Sequence, residues 1–245
     1  MIRFVAATLN LWGETRWPAR QPALTRFLAG HQPDVLAVQE LRPPVLAAIA
    51  AALPGHDAVD DPFAGWAHES NILWRRDLFR AVAHGAEPIG QAATLRRLFW
   101  VRLEWRAGRR PPLVVATAHY TWPGADAERD GGPSPRPGEA RQTLAALDRL
   151  APDPLPVLFV GDLNDLLLPV RVLEDGGLRE AHAVLGRSPR TTGSPTVRRP
   201  PSVADWMLHR GPLHPMTCDA VDLVVDDLAP SDHRPVLTTY RWEAA

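Results

Sequence analysis

Lysine is absent from this 245-residue chain, and all 27 basic residues are arginine. With 28 acidic residues the formal net charge is −1, so no overall positive field draws the chain to nucleic acid or anionic membrane. That excludes a general DNA binder, though not a local arginine patch. A single cysteine, Cys218, excludes an intrachain disulfide and suits a reducing compartment. No apolar run reaches bilayer-spanning length. The opening MIRFVAATLNLWGETR lacks a long apolar run and a small-residue cleavage site, so a cytoplasmic protein without a membrane partner is the expectation. Paired-cysteine and HExxH spacings, a P-loop and a GxGxxG stretch are also missing, which leaves zinc sites and nucleotide-cofactor folds without support. What is present, 45% hydrophobic and 22% charged residues, describes an ordinary globular chain.

Short strand-like runs recur, some separated by helices. IRFVAATLN and DVLAVQE flank a predicted helix from Pro18 to about Gln32, and PPVLAAIAAALPG is a second helix. ESNILWR, LFRAVAHG, RRLFWVRLEW and PLVVATAHY follow as four strands, a succession that favours antiparallel pairing. GEARQTLAALDRLA reads as a helix, LPVLFVGDLN as a strand, and LLPVRVLEDGGLREAHAVLG as one helix broken at Gly176-Gly177. VADWMLHR, CDAVDLVVDD and RPVLTTYRW are the closing strands. Two long loops, Thr121 to Pro137 and Arg187 to Ser202, are rich in glycine and proline and have the length of functional loops. No linker divides the chain, so residues 1–245 read as one α+β domain with strands enough for two sheets.

VADWMLHR poses a specific question. Alternation places Asp205 on the same strand face as apolar neighbours, and a buried carboxylate needs a partner. Other polar residues also gather at strand ends: Asn10, Glu40, His119, Asp162 and Asn164, with Asp232 and His233 just before the last strand. Each has an ordinary reading alone: an Asx turn for Asn10, a helix cap for Glu40, turn chemistry for Asp162 and Asn164, a structural imidazole for His119. Together they supply the acids, amides and imidazoles of a phosphate site built around a hard cation, for which one or two carboxylates suffice.

In order along the chain, TLNLWG, VLAVQE, ATAHY, VGDLND, VADWML and PSDHRPV resemble the motifs of the endonuclease/exonuclease/phosphatase superfamily, from about Ile2 to Trp242. The resemblance implies a four-layer α-β-β-α sandwich, two packed mixed β-sheets flanked by helices, with the site at one edge. It implies Glu40 as principal ligand of Mg²⁺, with Mn²⁺ as an alternative, and Asn10 and Asp232 nearby. Asp162 would orient or deprotonate the attacking water, Asn164 and His119 would hold phosphate oxygens, and His233 would contact the scissile phosphate. Asp205 matches the aspartate that pairs with that histidine. The sequence departs from the pattern where Val203-Ala204-Asp205-Trp206 replaces the common Arg-Ile-Asp-Tyr. His119 also stands where the abasic-site repair branch has tyrosine, and Leu41-Arg42 where that branch has Thr-Lys.

These departures point away from DNA repair and toward a small phosphorylated substrate, whether monoester, diester or diphosphate. Trp12, Trp17, Trp66, Trp122 and Trp206 lie in or near the motifs as an aromatic rim, Trp206 having the stronger core pattern. A nuclease is the alternative, with Arg96, Arg97, Arg109, Arg110, Arg198 and Arg199 as its basic track. A non-catalytic binding protein would be expected to have lost a motif residue, and none is lost. A monomer is the starting expectation.

Overall fold

Period-two alternation gives each strand one face for a facing sheet and one for covering helices. The computed structural model describes residues 2–242 except 130, 154, 198 and 199. β1 (Ile2–Asn10), β2 (Val35–Gln39), β3 (His56–Ala58) and β4 (Ser70–Arg75) begin the first sheet. The second sheet takes β5 (Phe79–Glu87), β6 (Leu98–Trp105), β7 (Leu113–His119), β8 (Val157–Asp162), β9 (Arg179–Glu180) and β10 (Asp205–Arg210). The chain then returns to the first sheet with β11 (Leu213–Ala220) and β12 (Val236–Trp242). The spatial orders are β11-β12-β1-β2-β4-β3 and β5-β6-β7-β8-β10-β9. Both sheets are mixed, β1–β2 and β7–β8 being parallel and the remaining neighbours antiparallel.

α1 (Gln21–His31) and α2 (Pro43–Ala52) cover the outside of the first sheet, where Leu24, Phe27 and Ile49 pack on Ala7, Leu36 and Val38. α3 (Gly65–His68) is one turn before β4, and α4 (Asp126–Arg129) one turn in the loop after β7. α5 (Arg136–Leu150) and α6 (Leu168–Asp175) cover the second sheet, their Ala140, Leu147 and Leu173 meeting Ala116, Phe159 and Leu208. α7 (Ala181–Val184) is one turn after β9. Between the sheets Phe4, Ala37, Val115, Val160 and Met207 share the central core, each large apolar side chain contributing about 1.5–3 kcal/mol by burial. The result is the expected four-layer sandwich. Among the described residues no helix is long and apolar enough to cross a membrane.

Local differences from the sequence reading have local causes. α1 starts at Gln21 rather than Pro18, with Pro22 in its first turn. The broken helix after Asp162 is instead α6, the two-residue β9 and α7, because Glu180 pairs with Leu208 of β10 and its side chain caps α7. The strand expected over CDAVDLVVDD lies earlier, as β11, and Pro215 within it is tolerated on an edge strand at a bulge. Beyond Ala220 the chain turns, with Asp226 and Asp227 at positive φ.

Alternation in β10 puts Trp206 and Leu208 on the helix side and Met207 in the central core. His209 shares Met207's layer: it is fully buried, packs edge-on to Tyr240 at 5.3 Å, and neither ring nitrogen has a hydrogen-bond partner. Burial first, and then Arg179, lower its pKa to about 4 against the weaker opposing pull of Glu180. The folded state therefore holds His209 neutral while the unfolded chain protonates near pH 6.5. Its contribution is present above pH 6.5 and is lost as pH falls toward 4, on the order of 2 kcal/mol by pH 4.5. Denaturant titrations at pH 7 and 4.5 should show the wild type losing that much more stability than His209→Leu. Equal losses would show that the imidazole is not held neutral.

Candidate active site

Strand register assembles the site. His119, Asp162 and Asp205 are direct partners across β7, β8 and β10, so their side chains share one face of the second sheet. Asn10 and Gln39 are likewise partners across β1 and β2, and Ser70 of β4 pairs with Gln39. Between the sheets the chemistry changes in layers. Past the apolar core, the Gln39 amide nitrogen donates to the hydroxyls of Thr8 at 3.1 Å and Thr117 at 2.8 Å. Beyond this polar layer come the ionisable groups.

Asn10 Nδ2 donates to both Glu40 Oε1, at 3.0 Å, and Asp162 Oδ2, at 2.9 Å, while its Oδ1 accepts from Trp12 N. One amide thus sets the separation of two carboxylates. His119 Nε2 lies 3.6 Å from Asp162 and 3.9 Å from Glu40, and His233 Nε2 lies 3.9 Å from Asp162. Asn164 donates its backbone N–H to Asp162 Oδ1 and its side-chain amide to the Tyr120 carbonyl. Burial works to raise the Asp162 pKa, but His233, His119, Asn10 and the Asn164 N–H outweigh it and hold the group below the usual carboxylate value. Asp162 is an anion in a buried place.

The partner Asp205 needs is His233, whose Nδ1 lies 2.7 Å from Asp205 Oδ2 across the gap between the sheets. Burial opposes a charged imidazole, yet Asp205 and Asp162 overcome it and raise His233 to about 10. Asp232 is buried beside it and accepts from Ser231. The described structure therefore brings Asn10, Glu40, His119, Asp162, Asp205 and His233 together, with Asn164 bonded to Asp162 and Asp232 adjacent to His233.

Two residues escaped the sequence reading. Glu69 sits just before β4, 3.1 Å from His119 Nδ1 and 3.3 Å from Arg96. Burial works against its charge, but His119 and Arg96 prevail and lower its pKa. The signal was the acidic start of ESNILWR, the same logic that singled out Asp205. Arg20 is 1% exposed and donates to the carbonyls of Leu11, Gly13, Thr15 and Pro230. It fastens the loop after Asn10 to the turn before Asp232. Burial lowers its pKa to about 10, with Asp232 and Glu40 opposing. A basic residue at the start of α1 runs against the helix dipole, and that was its only trace in the sequence.

Both long loops border this end of the sandwich. The loop after β7 carries Thr121 and Trp122 to a cavity of about 520 Å³ shared with Arg96 and Glu139. The later loop reaches the Asp205–His233 pair: Thr192 Oγ1 accepts from Ala204 N, Ser194 N donates to the Asp232 carbonyl, and Gly193 bridges to His233. A second cavity, about 400 Å³, opens beside Asn164 between the loops. The aromatic rim is smaller than expected, since Trp66 and Trp206 are buried in the core and only Trp122 is widely exposed. The basic track also fails in part: Arg109 and Arg110 lie on the β6–β7 connection, at the opposite end from His119. Arg96 is engaged with Glu69, Arg97 lies over the Phe63 ring, and Arg198 and Arg199 fall outside the described residues.

Two donor sets could hold a cation. Ligating atoms of Asp162, Asp205 and His233 lie within 4.8 Å of one another, but the Asp205–His233 hydrogen bond and the charged imidazole oppose a cation there. Glu40, whose side chain is 31% exposed, offers an anionic oxygen that solvent can reach. Hard oxygen donors of this kind suit Mg²⁺.

The family model described as Endonuclease/Exonuclease/phosphatase family matches residues 7–233. No curated protein sequence matches the chain significantly. Among solved structures, D. rerio TDP2 complexed with single-strand DNA product superposes with TM-score 0.81 at 18% identity, covering 98% of this chain and 100% of that one. The mannosyl-6-phosphatase of Bacteroides thetaiotaomicron VPI-5482 gives TM-score 0.79 at 19% identity, with 98% and 100% coverage. ANGEL2, a 2′,3′-cyclic phosphatase crystallised with adenosine-2′,3′-vanadate, gives 0.75 at 13% identity, with 99% and 96% coverage. At such identities the likeness is one of fold.

The Asp205–His233 bond has a direct spectroscopic consequence. In metal-free buffer the His233 ring should remain protonated through pH 8 by ¹⁵N NMR, and Asp205→Asn should lower its titration by at least about one unit. A His233 ring that titrates near 6.5 in both proteins would show that the pair is not charge-coupled.

Proposed function

The chain belongs to the endonuclease/exonuclease/phosphatase family, and from that premise we propose that it is a Mg²⁺-dependent hydrolase of a small phosphoester, with residues 1–245 as one catalytic domain. The observation that carries this reading is the buried Asp162 anion within reach of His119 and His233, beside the accessible Glu40 carboxylate. Glu40 would hold the cation, with Asn10 and Asp232 completing its surroundings; Mn²⁺ could replace Mg²⁺. When bound, the metal supplies positive charge to the phosphate oxygens.

The remaining work falls to the chain's own side chains. Asp162 keeps its charge and accepts a hydrogen bond from the attacking water, holding it in line with the departing oxygen. His233, kept cationic by Asp205, donates Nε2–H to the phosphate as negative charge builds, which is electrostatic stabilisation by a preorganised donor. His119 is held at Nδ1 by Glu69, leaving Nε2 to face Glu40 and Asp162 and to meet a phosphate oxygen. Asn164, whose backbone N–H donates to Asp162 and whose side chain donates to the Tyr120 carbonyl, would hold a further phosphate oxygen. Among the described residues of the arginine track, Arg109 and Arg110 lie at the far end and Arg96 and Arg97 are engaged within the fold, which favours a small substrate over a polymer.

Glu40→Gln should fold normally, lose Mn²⁺ binding by calorimetry, and lower kcat/KM for phosphoester hydrolysis by about two orders of magnitude or more. Full activity in that protein, or in excess chelator, would sink the metal assignment. Asp205→Asn and His233→Ala should each cost about 10²–10³ in kcat. Because each removes the same charged pair, the double variant should be little worse than the poorer single one. Multiplicative losses, with all three variants folded, would mean that Asp205 supports some other group.

A further inference from the structure

Resting on the phosphoester reading above, we propose that the cavity beside Asn164 takes an uncharged, apolar substituent of the ester, an alkyl or aryl group. The cavity measures about 400 Å³, within the roughly 300–1,000 Å³ range of small-molecule pockets. Its walls include Pro123, Leu166, Pro201 and Val203. The charged residues on its lining, Arg136 and Asp165, are engaged with each other and with their neighbours. Arg136 pairs with Asp165 at 3.1 Å and Glu128 at 2.7 Å, and donates to the Thr121 carbonyl. Asp165 Oδ1 accepts from the backbone of Leu167 and Leu168 at the start of α6. Asn164 donates one Nδ2–H to the Tyr120 carbonyl. Apart from the Asn164 amide and the Ser202 hydroxyl, the lining left for a ligand is apolar.

That surface continues outward. Leu166, Leu167 and Leu168 are 60%, 45% and 49% exposed, three adjacent leucines directly after the loop that carries Asp162 and Asn164. Single exposed leucines need no explanation, but a contiguous group beside a cavity marks a contact surface. The cavity shares Asn164 with the phosphate site, so a substituent entering it projects from a phosphate held by His119 and His233. The leucines then form a lip along a group longer than the cavity.

The test uses the full chain with Mg²⁺ and a series of ethyl, butyl, hexyl and octyl phosphate, with inorganic phosphate as the headgroup alone. Affinity is read as KM where the ester turns over and as Kd by calorimetry where it does not. It should rise by up to about fourfold per methylene, the factor equivalent to about 0.8 kcal/mol per buried CH₂. The dependence on chain length should flatten in Leu166→Ser and persist in Val82→Ser, an exposed apolar residue on β5 outside the cavity. A preference for phosphatidic acid in vesicles over octyl phosphate would assign the chain to a lipid, and the reverse to a dissolved ester; both support an apolar substituent. If inorganic phosphate binds but affinity ignores chain length, or if Leu166→Ser leaves the dependence intact, the proposal is wrong while the phosphoester reading stands. If neither phosphate nor any ester binds, that reading falls and this proposal with it.

Discussion

Asp162 lies 1% exposed where the two sheets meet, and a carboxylate so placed remains an anion only when donors surround it on every side. Apart from the Asn164 N–H two residues on, those donors come from far along the chain: Asn10 at the end of β1 and the imidazoles of His119 and His233. Bringing them together requires the sheets to face each other in one register. A slip of one residue in β7 or β10 would turn His119 or Asp205 to the helix side and leave Asp162 among apolar neighbours. The electrostatics of one buried group and the pairing of both sheets are a single condition.

Several features protect that register. Gly161, just before Asp162, has φ +151°, and a Cβ there would overlap the Ala118 carbonyl oxygen of β7. The close approach of β7 and β8 at the row of His119 and Asp162 thus depends on glycine. Below the site, Gln39 ties Thr8 to Thr117 across the sheets, a polar layer between the apolar core and the charged cleft. At the rim, Arg20 gathers four carbonyls from two loops. A fully buried guanidinium is costly unless its donors are met by acceptors. Here that requirement fixes the loop after Asn10 against the turn carrying Asp232.

Around this centre the mouth is uneven. Toward β6 it meets the Arg96–Glu69–His119 chain and the cavity edged by Trp122, where charge is plentiful. Toward β10 it meets a cavity whose charged groups are paired with one another, bordered by exposed leucines. The two sides are divided by the loop after β7, anchored through Arg136 to Asp165. Fold likeness extends over a protein complexed with a single-strand DNA product and a mannosyl-6-phosphatase, so the shared sandwich does not choose among substrates.

The strand and helix pattern, the motif residues and their order were legible in the sequence because they are written in local terms: alternation, turn residues, a polar group closing an apolar run. Asp205 could even be marked as needing a partner, since burial of a carboxylate is predictable from its own strand. Local terms failed where a long-range contact overrode them. Pro215 is admitted to β11 by its edge position, and the two-residue β9 exists because β10 lies alongside. Glu69 meets His119 and Arg20 meets Pro230 across long stretches of chain, and no periodicity records such a meeting. Which tryptophans are core and which line the mouth, and which arginines stand at the wrong end of the sandwich, follow from the same pairing of sheets. The sequence by itself determined the chemical groups and the strands that carry them. Their distances, charges and solvent access were decided only by tertiary structure, because each depends on desolvation by residues remote in the chain.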